Sequence, residues 1–104
     1  MTPDEAIKLI SEAARDAQEG AKARTADLYA LQTLVWVPRN IRQYGREYVA
    51  GHVAGVWSMA RYASLSSQIQ TLLFQVSELL KFEGDAPEKQ VREAIAKLKE
   101  RAPA

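Results

Sequence analysis

The sequence predicts an all-α chain, and three observations carry that prediction. Apolar residues recur at alternating spacings of three and four, the helical period. Gly and Pro are sparse, five and four in 104 residues, and most stand where one helix should give way to the next. No stretch shows the two-residue alternation of a half-buried strand. The expected architecture is two long antiparallel helices, a helical hairpin, plus a short C-terminal helix. The expected boundaries are about 3–36, 41–82 and 86–101, in one domain spanning 1–104.

The first helix opens on Thr2-Pro3-Asp4-Glu5, a capping box with Pro at the first helical position. Ile7, Ile10, Ala14, Ala17, Ala21, Leu28, Leu31 and Val35 continue its apolar stripe, broken only by Arg24. Gly20 weakens it by about 1 kcal/mol relative to Ala, so a break near 20–25 is the alternative. Val37-Pro38-Arg39-Asn40 is the first punctuation, because Pro38 disfavours helix at Val37 and Asn40 can cap a new one.

From there a heptad series runs without interruption: Ile41, Tyr44, Tyr48, Gly51, Gly55, Ser58, Tyr62, Leu65, Ile69, Leu72, Val76 and Leu79. Its ends are large and its middle is small. Ser64–Ser67 is its weakest stretch and could re-cap a further helix at Ser67. Glu83-Gly84-Asp85-Ala86-Pro87-Glu88 is the second punctuation, with Gly84 as a helix stop and Asp85/Glu88 as a second capping box. Val91, Ala94, Ile95 and Leu98 give the last helix one apolar stripe.

Length makes the hairpin incomplete by itself. A helix over 41–82 would be roughly 60 Å long, against a radius of gyration of ~13 Å for a compact chain of this size. Either it breaks near 64–67, or the seam is buried against other chains. Self-association into a dimer or higher homo-oligomer, completing a bundle, is the expectation. The turn at 37–40 would set Leu28 and Leu31 near Tyr44 and Tyr48, and Ala21 near Gly55.

Composition narrows the function. With 47% hydrophobic and 26% charged residues the chain is neither disordered nor collagen-like. It has no Cys and one His, His52, so a thiolate-metal centre, a disulfide scaffold and a His-based triad are not expected. Glu47 and Glu78 are the only acids between residues 28 and 82, which offers no catalytic carboxylate pair. There is no Gly-rich phosphate loop, nucleophile elbow or zinc spacing. The expectation is a non-enzymatic protein without cofactor or metal. The acidic start and the polar residues within the longest uncharged stretch, Tyr62–Ser77, argue against a leader or a spanning helix. A soluble, cytoplasmic chain is expected.

The net charge of +1 hides a division: residues 1–35 carry −2, residues 36–82 carry +3 and the remainder is neutral. The basic middle interleaves Arg39, Arg42, Arg46 and Arg61 with Trp36, Tyr44, Tyr48, Trp57 and Tyr62. Tyr, Trp and Arg are the residues that anchor protein interfaces. Trp36, Tyr44, Tyr48, Gly51, Gly55, Trp57, Ser58, Tyr62, Leu65, Ile69, Leu72 and Val76 are therefore the candidate interface for a second copy or another protein. The Gly51-xxx-Gly55 pair costs about 2 kcal/mol of helix propensity and marks a close approach. His52 reads as a histidine at the edge of the core or interface. The alternative is a nucleic-acid-binding protein, possibly a nucleoprotein or viral structural component, that sets Arg39, Arg42, Arg46 and Arg61 on phosphates beside stacking aromatics.

Overall fold

The computed structural model describes the backbone of residues 1–20, 25–63, 66–81 and 88–100, and the side chains within those ranges except at 20, 25, 26, 60–63 and 100. Among the described residues the chain is all-helical. Its elements are α1 (Pro3–Gly20), α2 (Thr25–Tyr44), α3 (Arg46–Ala63), α4 (Ser67–Lys81) and α5 (Glu88–Glu100).

Two long helices and a short one are therefore not what forms. Each expected long helix is divided. The first ends at Gly20, where the helix-propensity cost falls, and α2 begins at Thr25. The second is cut at Gly45 and again after Ala63; Ser67, the expected cap, is instead the first helical residue of α4, and the Ser66 carbonyl accepts the first helical bond, from the Gln70 amide at 3.0 Å. The molecule measures 36 × 26 × 22 Å with a radius of gyration of 12.5 Å, which is the compact value for its length. A 60 Å helix has no place in it.

The capping box of α1 forms as the sequence predicts. The Glu5 amide donates to Thr2 Oγ1 and the Thr2 amide donates to Glu5 Oε2, both at 3.2 Å. The turn expected at 37–40 does not form: Pro38 lies inside α2. Val37 beside it is buried, as are Leu34 and Val35, so burial of the preceding turn outweighs the local preference of proline. Pro38 deprives the Leu34 carbonyl of its helical donor. One residue on, the buried Ser11 hydroxyl of α1 donates to the Val35 carbonyl at 2.8 Å, tying α1 to this weakened turn.

The chain turns instead at Gly45, whose φ of +87° lies in the left-handed region that favours glycine. The Gly45 amide still donates to the Ile41 carbonyl at 2.9 Å, and its own carbonyl accepts from the Val49 amide at 3.3 Å. One residue thus separates α2 from α3. Moving the turn from 38 to 45 cancels the expected hairpin register, and the expected neighbour Ala21 lies outside the described residues.

α1 packs most extensively on α2, and α3 on α4; α5 closes against both α1 and α4. The core combines Ile7, Ile10 and Ala14 of α1, Leu31, Leu34 and Val37 of α2, Val49 and Val53 of α3, Ile69, Leu72, Leu73 and Val76 of α4, and Val91 and Leu98 of α5. The expected stripe of α5 is buried at Val91, Ala94 and Leu98, with Ile95 at its edge. The expected stop at Gly84 and the Asp85/Glu88 box lie outside the described residues. No helix among the described residues is long and apolar enough to cross a membrane.

Candidate interaction surface on α2 and α3

The heptad series divides in two. Its second half, Ile69, Leu72, Val76 and Leu79, is buried in the chain's own core. Its first half faces outward: Tyr44, Tyr48, Gly51, Gly55 and Ser58 are exposed and Ile41 is half-buried. Tyr62 and Leu65 lie outside the described side chains. What α3 buries is the stripe Val49, Ala50, Val53 and Val56, on the opposite side of the helix. At 100° per residue, Tyr48, Gly51, Gly55 and Met59 fall within about one quarter of the helix circumference, and all four are exposed.

The aromatic residues extend that face. Tyr29 and Trp36 are two turns apart on α2, 60% and 50% exposed. Tyr44 follows two turns after Trp36, and its ring meets that of Tyr48 across Gly45 with centroids 5.0 Å apart. An aromatic line therefore runs along α2 and passes through the Tyr44–Tyr48 contact onto α3. There it reaches the small waist of Gly51 and Gly55 and then Met59, which is 66% exposed. Trp57 departs from this face. It is half-buried against the core and stacks, tilted, on the exposed ring of Phe74 at 5.5 Å. Tyr29, Met59 and Phe74 were not singled out by the sequence. The signal available was their absence from the apolar stripe of each helix.

Among the described residues, a β-carbon added at Gly51 or Gly55 would meet nothing within 4 Å, so no described neighbour requires the missing side chains. The helix carries about 2 kcal/mol of unfavourable propensity with no packing against the described residues to offset it. His52, beside them, is exposed rather than at the edge of the core.

The arginines separate. Arg46, half-buried at the start of α3, donates from Nη2 to the Leu79 carbonyl at 2.7 Å. Leu79 stands in the last turn of α4, where the helix dipole favours a cation. Arg39 and Arg42 are exposed near the end of α2, and the side chain of Arg61 lies outside the described residues.

Elsewhere, a groove of about 500 Å³ between α4 and α5 is lined by Ser67, Thr71, Gln75, Gln90, Glu93 and Lys97 among others. Gln75 Oε1 is buried without a partner in the described structure. No group of three or more His, Cys, Asp or Glu side chains that could hold a metal comes together among the described residues. The chain matches no family model, no curated protein and no solved structure.

Proposed function

We propose that the chain is a non-enzymatic structural or adaptor protein that self-associates, or docks into a larger assembly, through the exposed aromatic and glycine face of α2 and α3. The observation that carries this reading is the exposure of Tyr29, Trp36, Tyr44, Tyr48 and Met59 on α2 and α3, each between 50% and 66% accessible. Taking ~200–250 Å² for each full side chain, these five present roughly 580–730 Å² of largely apolar surface. Isolated exposed apolar residues are ordinary. Contiguous patches of this extent are more characteristic of interaction sites, and one partner of a stable interface contributes about 800 Å². Tyr and Trp are also the side chains that supply most binding energy at such sites.

Light scattering on the purified chain at micromolar concentration tests the reading. A multiple of the 11.6 kDa chain mass is expected, falling toward one chain in a Trp36→Ala/Tyr48→Ala variant. A single-chain mass across the concentration range, with no loss of exposed-tryptophan fluorescence on concentration, would overturn self-association.

Nucleic-acid binding is the second reading, supported by the exposure of Arg39 and Arg42 near Trp36 and Tyr44. It is weakened because Arg46 spends its guanidinium on the end of α4. Binding of this kind would fall steeply with salt and would be lost in Arg39→Ala/Arg42→Ala. Salt-independent self-association unaffected by that pair of substitutions separates the two readings.

A further inference from the structure

We propose that α3 pairs with α3 of a second copy of this chain, antiparallel about a two-fold axis near residue 53, with Gly51 of one copy against Gly55 of the other. This rests on the self-association proposed above and specifies its geometry.

Three features select a second copy as the occupant. First, the exposed face of α3 has a waist: Gly51 and Gly55 each leave open space where a β-carbon would stand, and helices cross most closely where side chains are smallest. Second, the face reads nearly the same in both directions. Tyr48 precedes Gly51 by three residues and Met59 follows Gly55 by four, and these ends are 62% and 66% exposed. Run antiparallel in this register, a copy of the helix puts Tyr48 beside Met59 of its partner at both ends and glycine against glycine between them. Residue i of one copy then meets residue j of the other and j meets i, as an isologous contact requires, and the two bulky ends pack at equal distance from the waist. Third, the contact can be widened to the extent a dimer needs. Tyr44, already in ring contact with Tyr48, continues the surface toward Trp36 and Tyr29 on α2, and these five exposed side chains offer roughly 580–730 Å², most of the ~800 Å² per partner of a stable interface.

The chain has no cysteine, so single introduced cysteines report the geometry. In this register the two copies of residue 52 lie on the same side of the contact, about 3 Å apart along the helix axes. The two copies of residue 58 lie about 15 Å apart, beyond disulfide reach. His52→Cys should therefore form a covalent dimer under mild oxidation, and Ser58→Cys should not. Gly51→Leu should raise the dimer dissociation constant at least tenfold while circular dichroism stays helical, because the added side chain meets nothing within its own chain.

An oligomer that leaves His52→Cys uncross-linked, or that cross-links Ser58→Cys as readily, overturns the α3 pairing while the broader self-association stands. A Gly51→Leu chain that associates as tightly as the parent also overturns the pairing. A chain that is a single copy at every concentration overturns both.

Discussion

At the scale of the residue, a glycine pair and an arginine carry opposite lessons. Gly51 and Gly55 cost the helix stability, and a β-carbon at either would meet nothing within 4 Å among the described residues. Replacing both with Ala should raise the stability of the isolated chain by about 1 kcal/mol each, read by urea unfolding at low protein concentration. The same substitutions should weaken association, read by dilution in a sizing experiment. Arg46 is the reverse case, a charged side chain with a purely internal task at Leu79. Arg46→Ala should lower stability by about 1.5 kcal/mol, the magnitude for a hydrogen bond from a charged donor, checked by chemical denaturation. Nothing local to residues 39–46 distinguishes Arg46 from Arg39 or Arg42, since its partner carbonyl is 33 residues away in the chain. The capping box of Thr2 and Glu5 was legible because both partners lie within one turn.

At the scale of the element, the helical period was legible and its phase was not. Counting Tyr, Gly and Ser as seam positions carries one heptad register from Ile41 to Leu79. In α4 that register falls on the core, at Ile69, Leu72, Val76 and Leu79. In α3 it falls on solvent, and the aliphatic stripe Val49, Val53 and Val56 on the opposite face is what packs into the core. Burial follows the face that carries the aliphatic residues rather than the continuity of a repeat. Pro38 was misleading for a similar reason. A proline rule is local, whereas the packing of Leu34, Val35 and Val37 and the Ser11 hydroxyl from α1 hold the helix through it. Ser11→Ala should cost about 1 kcal/mol, measured by thermal unfolding. Pro38→Ala should raise the melting temperature, since the cost of an interior proline reaches about 3 kcal/mol.

At the scale of the whole molecule, length was the informative quantity. A 60 Å helix was incompatible with a compact chain, and the resolution is three shorter helices, with breaks at Gly45 and after Ala63. The break after Ala63 was legible at Ser64–Ser67, where polar residues interrupt the stripe. At Gly45 the signal was the glycine itself, a residue type that ends helices, but the heptad series running through Tyr44 and Tyr48 masked it. Among the described residues, five helices close the apolar stripes on one another and leave the aromatic face of α2 and α3 exposed.

The order of the helices also bears on how the chain folds. Each helix packs on its sequence neighbour, α1 on α2, α2 on α3, α3 on α4 and α4 on α5. Such local topology entails little loop-closure entropy and belongs with microsecond-to-millisecond folding. The contact of greatest sequence separation is the closure of α5 onto α1; between α1 and α4, α5 buries Val91, Ala94 and Leu98. A helix of 13 residues is marginal on its own in water, so its amides should exchange with solvent well before those of α3 and α4. Native-state hydrogen exchange that finds α5 as protected as the α3–α4 pair would show instead that the molecule opens only as one unit.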